Sequence, residues 1–181
     1  MNGYCVIIDA HLLEPRLLRC LAMVRRVFRS HVSQVELNLV AKTRSDELEK
    51  IARYFNARLE IINQPTAGAR LNAAARDTTQ ELLVFPGHCG RFKKNALVRN
   101  RELFKERGWD AAVLSPQEKG LFERFNRLWL RQDSQPLSTL CVSREWFERI
   151  GGFDAQLEAS AYQDLLSRLL ACNAHVIELA L

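Results

Sequence analysis

Short apolar runs alternate with longer amphipathic segments along most of the chain. Tyr4 to Asp9 is a continuous apolar run of strand length ending in an acid. Val35 to Val40, Arg58 to Asn63 and Glu81 to Phe85 are the next predicted strands. Helical periods separate them. Pro15 opens the first, with Leu17, Leu18, Leu21, Val24, Val27 and Phe28 on one face and Arg16, Arg19, Arg26 and Arg29 largely off it. Such a helix suits either a membrane surface or a protein core, and the strands on both sides favour the core. Ser45 or Asp46 caps the second, which runs to about Phe55 with Leu48, Ile51, Ala52 and Phe55 inward. Pro65 and Gly68 break the chain before an Ala-rich helix from Ala69 to Asp77.

This β-α-β-α-β-α-β order with short connections predicts a parallel, doubly wound sheet. The second half continues the alternation. A helix is predicted over Lys93 to Arg107, a strand over Ala111 to Leu114 and a helix over Leu121 to Arg131. Leu137 to Ser143 is strand-like, and Arg144 to Ile150 is a helical turn stopped by Gly151-Gly152. A helix over Ala161 to Ala171 and a strand over His175 to Leu179 complete the pattern. The expectation is a three-layer α/β/α sandwich with a mostly parallel central sheet. With 181 residues and no visible linker or repeat, residues 1–181 fit a single domain.

Composition narrows the chemistry. The five cysteines (Cys5, Cys20, Cys89, Cys141, Cys172) are scattered and include no C-x-x-C pair, which argues against a disulfide framework or a structural zinc. They read as small core hydrophobes. No apolar run approaches the ~20 residues that span a bilayer, and the N-terminus reads as a strand rather than a leader, so a cytoplasmic protein is expected. The net charge of +5 is compatible with an anionic partner without demanding one. The densest basic run, Arg91, Lys93, Lys94, Arg99, Arg101, Lys105 and Arg107, reads first as a solvated helix face and secondarily as an anion-binding module. Nucleic acid is not expected, since no zinc finger, RNP-like motif or basic zipper is present.

Several catalytic motifs are absent. The turn Asp9 to Pro15 has no glycine, so neither a P-loop nor a dinucleotide fingerprint fits, and no Gly-x-Ser-x-Gly occurs. His11, His31, His88 and His175 lack paired ligand spacing. His88 and Cys89 could form a nucleophile pair, but adjacent residues in a strand or turn usually point different ways.

Read together, the segments resemble the family 2 glycosyltransferases, whose catalytic domain has the GT-A fold. Cys5-Val-Ile-Ile stands where the family opens, and Glu36 to Asp46 is similar to its second strand and following acidic turn. Gly68-Ala-Arg-Leu-Asn72 with the Ala-rich helix resembles its Ala-Arg-Asn segment. Arg144, Gly151-Gly-Phe-Asp154, Asp164-Leu and Arg168-Leu resemble its late block, the most specific piece. The resemblance implies sugar transfer from a nucleotide diphosphate donor. An Asp-x-Asp would hold Mg²⁺ or Mn²⁺ to neutralise the leaving group, and an Asp would deprotonate the acceptor.

The departures from that pattern are systematic. The Asp-x-Asp positions are Gly87, His88 and Cys89. The acids after the second strand become Ala41 and Lys42, and the next turn residues become Thr43 and Arg44. The Glu-Asp pair falls on Ala161 and Tyr162. No metal site is therefore expected; Mg²⁺ or Mn²⁺ enters only if the degenerate reading fails. Glu158 and Asp164 are the surviving candidates for a base. Asp9, Lys42, Arg44, Arg70, Asn72, His88 and Arg91 are the candidate substrate-binding residues. The favoured expectation is a catalytically degenerate glycosyltransferase-like domain. It would bind or scaffold in a glycan, cell-envelope or other biosynthetic pathway, through a protein partner or as a homo-oligomer. The alternatives are an active metal-independent transferase using a nucleotide sugar, and a basic anion-binding module. Side chains filling the cleft beneath Gly87 would favour the first.

Overall fold

The computed structural model describes residues 3–14, 16–28, 35–87, 96–115 and 139–180. The helix predicted over Leu121 to Arg131, and His88, Cys89 and Arg91, lie outside the described residues.

Seven strands, β1 (Tyr4–Asp9), β2 (Val35–Ala41), β3 (Arg58–Ile61), β4 (Leu82–Phe85), β5 (Ala111–Ser115), β6 (Thr139–Ser143) and β7 (Val176–Ala180), form one sheet. Its order is β3-β2-β1-β4-β6-β5-β7. β1 pairs in parallel with β2 and β4, β2 with β3, and β5 with β7. β6 runs antiparallel between β4 and β5. The mostly parallel sheet expected from the sequence is therefore present, with one reversed strand. A strand apolar on both faces reads the same in either direction, so periodicity does not encode that reversal.

The helices are α1 (Leu17–Phe28), α2 (Asp46–Phe55), α3 (Ala67–Arg76), α4 (Ala96–Arg107), α5 (Arg144–Arg149) and α6 (Ala161–Ala171). Side chains alternate across β1. Tyr4, Val6 and Ile8 join a core with Leu21 and Val24 of α1, Ala52 of α2 and the half-buried Phe104 of α4. Cys5 and Ile7 join another with Leu71 of α3, Phe147 of α5 and Leu165 of α6. Two cores on opposite faces of one sheet make the three layers.

Local chemistry sets the helix ends. Ser45 Oγ accepts from Leu48 N at 3.2 Å and opens α2, as its type predicts. α3 begins at Ala67, two residues before the predicted start, because Thr66 caps it through Oγ1. In α1 the buried stripe is Cys20, Leu21, Val24 and Val27, whereas Leu18, expected inward, is 54% exposed at the edge of that stripe. Cys5, Cys20 and Cys141 are fully buried. Burial pushes the thiols of Cys5 and Cys141 up to about 12, so they stay protonated core groups.

β1 and β4 are neighbours, and the chain leaves β1 toward β2 on the other side. Their carboxyl ends therefore flank the switch point where open α/β sheets place ligands.

Candidate site at the carboxyl ends of β1 and β4

Asp9, the last residue of β1, is fully buried. Its Oδ1 accepts from the backbone N–H of His11 at 2.9 Å and of Leu12 at 3.0 Å, which fixes the β1–α1 turn. Its Oδ2 accepts from Arg70 Nε at 2.7 Å. Arg70 reaches this point from the first turn of α3, and its side chain is also fully buried. Arg70 Nη1 donates to the carbonyls of Gln64 and Pro65 at 3.0 and 3.1 Å. Nη2 has no hydrogen-bond partner and faces Glu158 Oε2 across 3.7 Å. The same Glu158 oxygen accepts from Ala67 N, the first amide of α3, at 3.1 Å. The structure thus gathers three of the predicted site residues, Asp9, Arg70 and Glu158, into one ion cluster. The Arg70 guanidinium is enclosed and already countered by Asp9.

Asn72 ties α3 to the turn at Phe153. Its Nδ2 donates to the Phe153 carbonyl and its Oδ1 accepts from the Phe153 N–H, both at 2.8 Å. Both ends of the amide thus bind the backbone of the turn that follows α5. Two glycines make this close packing possible. A Cβ on Gly68 would lie 2.0 Å from the Asp154 carbonyl oxygen. Gly152 has φ +72°, and a Cβ there would meet Asn72 Oδ1 at 2.5 Å.

Asp164 belongs to a separate network. Its Oδ2 accepts from Arg168 Nε and Nη2 at 2.9 and 2.6 Å. Arg168 also donates to the carbonyls of Ile150 and Gly152 at 2.8 and 2.7 Å. Asp164 therefore orients the arginine that ties α6 to the double-glycine turn. Arg144 likewise holds backbone, donating to the carbonyls of Gln80 and Ala75.

Tyr162 occupies the position to which the resemblance assigns the catalytic base. It is 5% exposed, and its hydroxyl donates to the Pro86 carbonyl at 3.3 Å, at the tip of β4. Its ring packs on Phe153, with centroids 5.3 Å apart, and Phe85 and Phe147 continue the cluster. Aromatic side chains thus pack together beneath the β4 tip. Glu158's contact with Ala67 was not readable from sequence: 91 residues separate the partners, and no local spacing signals the pair.

Lys42 and Arg44 lie exposed on the β2–α2 turn, and Arg44 Nε pairs with Glu49 at 3.3 Å. Lys42 borders a cavity of about 410 Å³ between the β1–α1 and β2–α2 turns, together with Ala10, His11, Thr43 and Leu48.

The described residues do not fit a hard divalent cation. Gly87, to which the resemblance assigns the first acid of Asp-x-Asp, has no side-chain donor. Asp9 is committed to two amides and a guanidinium. Among the described residues no group of three His, Cys, Asp or Glu side chains could hold a metal ion.

No protein-family model and no curated protein matches the chain. Its architecture is shared with solved structures. It has the GT-A fold of nucleotide-diphospho-sugar transferases, similar to that of the family 2 glycosyltransferases. TarS from S. aureus (residues 1–349) superposes with TM-score 0.71 at 16% identity, over 98% of this chain and 58% of that one. A mannosyltransferase from Pyrobaculum calidifontis, solved with GDP-Man and Mn²⁺, gives 0.68 at 14%, over 98% and 54%. Glucosyl-3-phosphoglycerate synthase from Mycobacterium tuberculosis, solved with Mg²⁺ and UDP, gives 0.69 at 15%, over 99% and 70%. The chain thus spans little more than half of the first two. Likeness at these identities shows the fold alone. Among the described residues no helix is long and apolar enough to cross a membrane.

Proposed function

We propose that this chain is a catalytically degenerate GT-A domain that acts by binding or scaffolding in a glycan, cell-envelope or other biosynthetic pathway. The observation that carries the reading is the occupancy of the β1/β4 cleft by the chain's own groups. Asp9 and Arg70 neutralise each other in the interior, and Tyr162 closes on Pro86 beneath the strand tip. A diphosphate leaving group needs preorganised positive charge directed at it. The buried guanidinium of Arg70 is directed at Asp9 instead. Neighbours of the same fold were solved with GDP-Man or UDP, so a nucleotide sugar is the small ligand to test. The exposed Lys42 and the cavity beside His11 leave room for such contact without transfer. A protein partner or a second copy of the chain is the expected larger ligand.

The test is turnover across a panel of uridine and guanosine diphosphate sugars, with and without Mn²⁺. No hydrolysis or transfer is expected in either condition. Transfer without metal, abolished by Glu158→Gln with folding intact, would replace this reading by a metal-independent transferase.

A further inference from the structure

We infer that Glu158 is a displaceable internal anion, seated where the structure is built to take a monoanionic oxyanion such as a carboxylate or a singly charged phosphate. This inference deepens the binding role proposed above and rests on it.

Two observations meet at this point. The first is the amino end of α3, a helix of ten residues, whose Ala67 N–H donates to Glu158 Oε2. The partial positive charge of a helix amino end favours an anion there. The second is Arg70 Nη2, a donor on a fully buried side chain that has no hydrogen-bond partner and lies 3.7 Å from the same oxygen. Buried donors are nearly always satisfied, so an unmet guanidinium N–H beside a helix amino end marks an incompletely filled seat. Glu158 touches the amide but stops short of hydrogen-bond distance to Arg70. A free oxyanion, unconstrained by a backbone, can reach both at once.

Charge selects the class. Asp9 already cancels Arg70, so removing Glu158 leaves those two side chains formally neutral, with the helix end unmet. One negative charge restores the present balance, and a dianion exceeds it. Glu158 can leave, because its side chain is half exposed while Arg70 is enclosed. It is carried on the turn between Asp154 and Ser160, which meets α3 again through Gly68 N to the Leu157 carbonyl and Thr66 Oγ1 to the Ala155 carbonyl. Those bonds hold the turn in place when the carboxylate swings out. A tethered group competes at an effective concentration of about a millimolar, so an external anion is masked in the wild-type chain.

The experiment titrates inorganic phosphate and, separately, acetate into wild-type protein and the Glu158→Ala variant, read by calorimetry and by the amide resonance of Ala67. Glu158→Ala is expected to bind at least tenfold more tightly than wild type, with the Ala67 amide shifting on binding. A gain for phosphate, acetate or both upholds the seat and shows which oxyanion fits. Glu158→Gln, which keeps the side-chain shape, gives a second variant and a smaller gain. Equal affinity in all three proteins, no binding in any, or binding that leaves the Ala67 amide unmoved would overturn the inference. These outcomes are separable from turnover, since a gain in Glu158→Ala stands whether or not nucleotide sugars are processed.

Discussion

Replacing Asp9 by Asn tests the ion pair at the heart of the cleft. The change is nearly isosteric. The amide oxygen of Asn can still accept from His11 and Leu12, which the carboxylate holds at 2.9 and 3.0 Å. Its NH₂ group then faces Arg70 Nε, a donor against a donor, where a 2.7 Å charge-assisted bond stood. Arg70 is fully buried and cannot turn to water. Removing one partner of a buried pair costs about 3–5 kcal/mol, because the other charge is left uncompensated. Glu158, 3.7 Å from Nη2, offers partial relief and places the expectation near the lower end of that range. In a chain of this size the same range lowers Tm by about 6–20 °C. Urea unfolding followed by circular dichroism, with Asp9→Asn, Arg70→Met and the double variant, completes a cycle. The double variant should recover part of the single losses, since it leaves no unpaired charge. A loss below about 1 kcal/mol for Asp9→Asn would refute the buried-pair reasoning and return Asp9 and Arg70 to the pool of ligand contacts.

Other perturbations have equally direct readouts. Asn72→Ala strands the N–H and carbonyl of Phe153, and a loss of about 2–4 kcal/mol in chemical unfolding is expected for two buried orphaned groups. Gly68→Ala forces the Asp154 carbonyl away from α3 and should lower Tm, with faster amide exchange confined first to the 154–160 turn. Tyr162→Phe removes the hydroxyl that donates to Pro86 and should lose about 0.5–1.5 kcal/mol in the same unfolding assay. On the edge strand β3, burial lifts the Glu60 carboxyl above its ordinary 4.5, with Arg58 opposing that rise. The folded state therefore favours protonated Glu60, so its stabilising contribution is full below the unfolded value and is lost as pH rises through the folded one. Urea midpoints measured from about pH 4 to 7 should fall less steeply with rising pH in Glu60→Gln than in wild type.

Much of the fold was legible because burial on both faces writes a strong signal. β1 and α6 were predicted to their end residues, since an apolar run and a helical period stop where polar residues begin. α3 was predicted short, because Thr66, its cap, looks like an ordinary loop residue until its hydroxyl is seen on Ala69. The antiparallel sense of β6 is a tertiary choice with no local trace. At the site, the resemblance implied acids at positions that carry other residues here, but not what those residues would meet. Tyr162 was visible as a replacement, while its reach to Pro86 depends on α6 crossing the β4 tip. Arg70 and Asn72 read as ligand contacts because their segment is one in which the family resemblance is carried. Their side chains instead meet Asp9 and Phe153, partners 61 and 81 residues away. Polar residues in a motif can hold a fold as readily as a substrate, and only the bonding partners distinguish the two.

On the proposed reading, the chain's own residues fill the cleft at the tips of β1 and β4. Calorimetric titration of the wild-type protein with uridine and guanosine diphosphates, with and without Mn²⁺, tests it most directly. Mn²⁺ is expected to make no difference to the binding isotherm of either nucleotide. Tight binding that depends on Mn²⁺ would contradict it.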